Sequence, residues 1–234
     1  MNQKTSQIID GLRPNKPHRL TSAEQTSDVI REAITTGVLT PGMKLQEEAL
    51  TASLGVARNT LRESFKTLIH EGLLVHEINR GVSVVKVTVD GIRDVYAVRE
   101  LLEVNALREC PADADISAIA AAVESARTMV EKDDWLGVGT ANIAFHRAIV
   151  ALAGSSRQNA IMRSLLAETR LHVSAWGHPR EWHAPFVEKN RQVYEMLARG
   201  RRDEAAVLMS QNLKESCRIL VARHEEGHHE NLAG

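Results

Sequence analysis

The sequence predicts a mainly α protein: an N-terminal winged helix-turn-helix followed by an all-α antiparallel helical bundle. Three observations predict it. Residues 47–69, EEALTASLGVARNTLRESFKTLI, read as two short helices with Gly55 at the turn between them. An extended stretch follows, in which Gly72-Leu73-Leu74-Val75 and the β-branched run Val82-Ser83-Val84-Val85-Lys86-Val87 flank a turn at Asn79-Arg80-Gly81. Beyond Asp90 the apolar residues recur at helical spacing and no segment alternates as a strand would.

Residues 1–19 are polar, carry Pro14 and Pro17, and read as a flexible arm. Lys4, Arg13, Lys16 and Arg19 against Asp10 make that arm either a source of phosphate contacts or simply a disordered tail. A helix is expected at Ala23–Thr36, capped by Thr21 or Ser22, with Gln25 three after Ser22 as in a capping box. Val29, Ile30, Ala33 and Ile34 should face inward. Gly37 to Gly42, with Pro41, stops that helix. The next helix, Glu47–Ser53, turns Leu50 and Leu54 inward, and Gly55 supplies a left-handed turn without steric cost. The second helix of the pair starts near Ala57. Leu61, Phe65, Leu68 and Ile69 form its buried stripe, while Asn59, Arg62 and Lys66 line another flank with Arg58 at the helix start.

A helix buried on one side that offers Arg, Asn and Lys on another suits the major groove of duplex DNA, where Arg reads guanine and Asn reads adenine. A plain helical hairpin shares this periodicity; the two-stranded wing that follows favours the DNA reader. Arg80 at the wing tip either reaches a phosphate or minor groove, or is a solvated turn residue.

Thr88-Val89-Asp90 marks a junction, with Asp90 as the next cap. Helical patterns then run through about 91–109, 114–131, 133–153, 157–177, 185–199 and 202–225. They break at Pro111, Asp133-Asp134, Gly154-Ser155, Gly177-His178-Pro179 and Gly200. Helices of this length joined by short breaks make an antiparallel bundle. The expected organisation is an arm at 1–19, a winged helix-turn-helix at 20–88, a helical sensor domain at 89–226 and a flexible tail at 227–234.

Composition narrows the function. The chain has 234 residues, enough for two modest domains, and is 43% hydrophobic and 25% charged. Aromatics at 3% exclude a stacking platform for single-stranded nucleic acid. No apolar run suits a membrane span, and the N-terminus lacks a secretion signal. Cys110 and Cys217 form no disulfide framework or metal spacing, which fits the cytoplasm; both read as buried small hydrophobes. Net charge is −1, and residues 20–88 hold seven bases against eight acids, so a DNA-binding reading rests on where the bases sit. No nucleophile elbow, phosphate loop, HExxH or paired-carboxylate motif supports an enzyme. The alternatives are a metal-dependent hydrolase using His146 and a scaffolding helical protein.

The first part of the chain resembles GntR-family transcriptional regulators. The residues that carry the resemblance are Gly37-Val38-Leu39, Pro41-Gly42, Leu45, Glu47, Leu50, Leu54-Gly55-Val56, Arg58, Leu61-Arg62-Glu63, Leu68, Glu71-Gly72-Leu73, Gly81 and Val84. Val95, Arg99, Leu102-Glu103, Phe145-His146 and the final helix pair resemble the FCD ligand-binding domain of that family. The resemblance spans about residues 20–225. It implies a homodimer on a palindromic operator of double-stranded DNA, usually a repressor, released by a small metabolite. By the same resemblance Arg58 and Arg62 read the groove, Thr60 lies beside them, and Gly81 shapes the wing tip.

The DNA-binding part departs from the family in two places, and the second domain departs further. Ala57 stands where a Ser or Thr cap is usual, and Glu48 where Arg is common. Many FCD domains hold a divalent metal on an Asp and three His; the matching positions here are Asn142, His146, Asn190 and Asn212. Only His146 is a strong ligand, so no cofactor is expected, with a divalent metal as the remaining option. Those four residues and Arg99 would make a polar effector chamber. Arg99 with Glu103 is either a helix ion pair or a clamp for an acidic effector. Trp176, His178, Trp182 and His183 either pack aromatically, close over a pocket, or edge a dimer. His172 is a weak candidate for a replacement ligand. His224, His228 and His229 read as a solvated tail or an adventitious metal site.

Overall fold

A computed structural model describes residues 21–232, with side chains to Glu226. The arm expected at 1–19 lies outside the described residues. Helix α1 (Ser22–Thr35) is followed by strand β1 (Lys44–Leu45), α2 (Glu47–Leu54), α3 (Arg58–His70), β2 (Leu74–Glu77) and β3 (Gly81–Val84). The second domain holds α4 (Val89–Glu109), α5 (Ser117–Glu131), α6 (Trp135–Ala151), α7 (Ser156–Trp176), α8 (Pro179–Ala198) and α9 (Arg202–Leu232). This is the winged helix-turn-helix and all-α bundle expected.

Helix α1 opens with a reciprocal capping box, but it is Thr21 with Glu24. The expected Ser22–Gln25 pairing is one residue late. The inward face is also rotated. Ile30 and Ile34 are buried with Thr26 and Ser27, while Val29 is 51% exposed. The polar inward residues satisfy themselves: the Thr26 and Ser27 hydroxyls donate back to Ser22 and Ala23 carbonyls. Arg31 then ties α1 to the end of α3, with Nη2 2.7 Å from Glu71 Oε1.

Gly55 ends α2 at φ 65°, the left-handed cap the sequence anticipates. In α3, Leu61, Phe65 and Leu68 are buried, as expected; Ile69 is exposed, and Ser64 takes the fourth buried position. At about 3.6 residues per turn Phe65 and Leu68 fall close to the line of Leu61, whereas Ile69 lies roughly 80° round, at the edge of the stripe. The wing is three-stranded rather than two-stranded. β3 pairs antiparallel with β2 and also with β1, Leu45 opposite Val82. A two-residue strand carries too little alternation to be read from sequence. Asn79 (φ 62°) and Gly81 (φ 85°) shape the wing turn.

Thr88, not Asp90, caps α4, accepting from the Gly91 amide. The largest departure is α8. It was expected from 185 but begins at Pro179 and carries Pro185 internally. Pro179 suits the first turn, where no amide partner is needed. Pro185 forgoes one helical hydrogen bond, and the burial of Trp182, His183 and Phe186 around it holds the helix together. Trp176 meets Trp182 edge-on at 5.9 Å, and Trp182 lies 5.1 Å from Phe186, so the aromatic residues of this corner pack. Helix α9 runs to Leu232, beyond the boundary expected at 226; Ala233 and Gly234 lie outside the described residues.

Two hydrophobic cores result, and α7 serves both. Met162, Leu165, Leu166 and Val173 join the bundle core. Ala167 and Leu171, on its other flank, belong to the core of the winged domain with Ile34, Leu61 and Leu68. Leu171→Ala therefore should destabilise the winged domain from outside it, by roughly 2–5 kcal/mol for a fully buried leucine. Urea unfolding, followed by a probe on α3, measures it.

Candidate nucleic-acid interface and ligand chamber

The sequence-expected reader residues all stand on the outer surface of α3 and the wing. Arg58 and Arg62 side chains are 64% and 56% exposed. Both lean on one carboxylate of the preceding helix, Glu47 Oε2, at 3.5 and 3.2 Å. Asn59 and Lys66 are exposed beside them, Lys66 pairing Glu63 at 2.8 Å, and Thr60 is half-buried. Arg80 at the wing tip lies 3.6 Å from Glu77 and next to Gly81. Ala57 gives α3 no side-chain cap. The ridge Leu61–Phe65–Leu68 anchors the helix from behind, so its polar flank projects as a convex edge.

The five residues expected in the second site also converge. Arg99, Asn142, His146, Asn190 and Asn212 line one cavity of about 20 Å³, with Tyr96, Thr169 and Ser216. Five helices meet there, Thr169 coming from α7. Arg99 comes from α4, Asn142 and His146 from consecutive turns of α6, Asn190 from α8 and Asn212 from α9. Arg99 is 2% exposed and Glu103 0%. Of the two readings of their spacing, the ion pair is present, but inside the protein rather than on a helix surface. Arg99 Nε donates to Glu103 Oε1 at 2.9 Å, and Nη1 to the Thr169 hydroxyl at 3.4 Å. The third nitrogen, Nη2, is buried without a partner, as is Asn212 Nδ2.

Glu103 also lies 2.5 Å from His146 Nδ1. Burial alone would raise the Glu103 carboxyl; Arg99 and His146 outweigh it and hold it below its ordinary range. Burial pushes His146 down, Arg99 adds to that, and Glu103 offsets only part. The neutral ring therefore donates Nδ1–H to Glu103 and keeps Nε2 as an acceptor.

This donor set does not suit a divalent metal. One imidazole stands among three neutral amides, and Asn190 Nδ2 already donates to Asn142 Oδ1 at 2.7 Å. Among the described residues no three His, Cys, Asp or Glu side chains gather as a metal site would need. His172 is buried with Nδ1 unpartnered and lies outside the cavity lining, so it supplies no replacement ligand.

Sequence reasoning missed Arg170. It sits on α7, 4% exposed, between the two domains. Its Nη2 donates to the Thr36 carbonyl at 3.3 Å, and its Nε has no partner. A Cβ on Gly139 of α6 would collide with Arg170 Nη1 and His183 Nε2, so any side chain there would displace these groups. Nothing in the spacing of Arg170 distinguishes it from a surface arginine of an amphipathic helix. His183, grouped above with the tryptophans, proves to be part of this buried seam.

Residues 22–84 match the profile of bacterial regulatory proteins of the gntR family, and residues 94–215 match the FCD domain. A Streptomyces ambofaciens protein described as an uncharacterized HTH-type transcriptional regulator in an unstable DNA locus is 26% identical over 193 residues, 79% of each chain. A protein of Paenarthrobacter nicotinovorans, named a probable D-xylose utilization operon transcriptional repressor, is 28% identical over 137 residues, 58% of this chain and 61% of its own. Among solved structures, a GntR transcriptional regulator from Rhodococcus sp. RHA1 superposes with a TM-score of 0.80 at 33% identity, covering 86% of this chain and 97% of its own. E. coli McbR/YncC shares the fold, with a TM-score of 0.74 at 17% identity over 88% and 100% of the two chains.

The buried histidines set a pH dependence. Burial, then Arg99 and His224, push His172 down to about 4; burial, then Arg170, push His183 down to about 3. A depressed histidine means the unfolded chain binds more protons, so its contribution is complete above 6.5 and lost as pH falls towards 4 and 3. Glu168 acts oppositely. Burial and Asp94 raise it to about 7, and its contribution is lost as pH rises from 4.5 to that value. The histidines outnumber it. The melting temperature should therefore fall on acidification from about pH 6.5, before ordinary carboxylates titrate. In His183→Gln the slope should be shallower.

Proposed function

Since the chain belongs to the GntR family of transcriptional regulators, with an FCD domain behind its DNA reader, we propose that it is a repressor released by an organic acid. It is a regulator and not an enzyme, so the reading of His146 as a hydrolytic centre falls away. The observation that carries the proposal is the pair of buried, unpartnered donors, Arg99 Nη2 and Asn212 Nδ2, lining one small cavity. Unmet donors in an apolar interior are costly, and an anionic oxygen between them would satisfy both. His146 Nε2 and Ser216 suit a hydroxyl on the same molecule.

On DNA, Arg58, Asn59, Thr60, Arg62 and Lys66 are assigned to the major groove, and Arg80 with Gly81 to the flanking backbone. A homodimer in the cytoplasm would place two such helices on a palindrome. Among the described residues no helix is long and apolar enough to cross a membrane.

Arg170 is proposed to carry the signal. Ligand in the chamber would bear on α6 and α8, the helices of Gly139 and His183, and both residues lie close to the guanidinium that bonds Thr36 of the reader domain. Spatial continuity alone does not establish coupling, so the test separates binding from response. Arg170→Leu should keep operator affinity within about threefold and lose the effector's ability to release DNA. Normal release from that variant would remove Arg170 from the route.

The proposal as a whole is tested by fluorescence anisotropy with DNA from upstream of the protein's own gene. Affinity should fall steeply with added salt. Arg62→Ala should weaken specific binding by about 1–3 kcal/mol and relax preference at its base pair. A variant with unchanged operator affinity and selectivity would take Arg62 out of the readout.

A further inference from the structure

Asn142 and Asn190 line two cavities, not one. Beyond them lies a second void of about 10 Å³, walled by Ala122, Val123, Ala126, Ala141, Phe145 and Val187. Each void is sized for about one water, so the chamber is shut. The wall between the two is the 2.7 Å hydrogen bond from Asn190 to Asn142. On one side of it stand the unmet donors of Arg99 and Asn212; on the other, aside from His183, the surface is hydrocarbon.

We propose that the second void is a tail chamber: the effector is an amphipathic carboxylate whose hydrocarbon part passes between Asn142 and Asn190. This rests on the reading of Arg99 as the head-group anchor. The amide pair suits a gate because it is neutral. A metal with charged ligands at these positions would bar a hydrocarbon, whereas two amides part without stranding a charge. Once apart, Asn142 Oδ1 and Asn190 Nδ2 have the polar chamber beside them and can bond the head group, so neither is left unpaired. The far wall leaves room for a tail only by yielding, and it is lined by short side chains. Helix α5 fully buries only Ile119 and Ala122, and it meets the void with small side chains.

The test is calorimetric titration of the full-length protein with straight-chain carboxylates from acetate to octanoate. Affinity should rise about fourfold per methylene once the tail passes the amide pair, then level off when the chamber is full. Ala126→Phe, filling the void from its half-buried rim, should abolish that rise and leave the short acids binding as before. Val187→Phe fills it from the opposite helix, should one variant fail to fold. Short acids that bind the wild type with no gain on lengthening would overturn the tail chamber and leave the Arg99 anchor standing. A length dependence surviving in both filled variants would also overturn it. If no carboxylate binds the wild type, the anchor and the chamber fall together.

Discussion

The carboxylate of Glu103, sealed between Arg99 and His146, is the constraint on which the second domain depends. A buried carboxylate is tolerated only when its charge is matched, and here one guanidinium and one imidazole N–H match it. That arrangement fixes three things at once. It makes α4 and α6 approach closely, since Glu103 and His146 come from those helices. It sets the histidine tautomer, leaving an acceptor for the cavity. It also uses only part of the arginine, whose Nη2 remains unpaired. The polar chamber is thus a by-product of how the bundle neutralises its own buried charge.

Helix α7 adds the second requirement. Its two flanks are apolar for different partners, the bundle on one side and the reader domain on the other. Thr169 and Arg170 are adjacent in sequence, yet they serve different neighbours. Thr169 receives Arg99 from the chamber, and Arg170 donates to Thr36 at the end of the first helix of the reader. The two cores therefore share one rod, with no flexible linker between the faces that meet them.

Much of this was legible in the sequence. Gly55, the Leu61–Phe65–Leu68 ridge and the Asn79–Gly81 turn announce themselves through local rules, so the reader helix and wing could be placed before any fold was seen. The convergence of Arg99, Asn142, His146, Asn190 and Asn212 was legible only through the family resemblance, since their spacings span four helices. What stayed hidden is tertiary. β1 exists because β3 offers it a partner. Helix α8 runs through Pro185 because Trp182 and Phe186 are buried. Arg170 is interior because α7 lies between two domains, and periodicity along one helix cannot show what covers its polar side.

The reader surface can be understood in the same electrostatic terms. Its domain is not basic, and Glu47 holds both Arg58 and Arg62. Exposed pairs of this kind contribute little to stability, so neither arginine is committed to Glu47. The carboxylate nonetheless stands between two long side chains on one flank of α3. It also cancels charge that would otherwise bind any duplex. Charge balance alone therefore does not mark this face of the domain; the placement of its bases on α3 and the wing does.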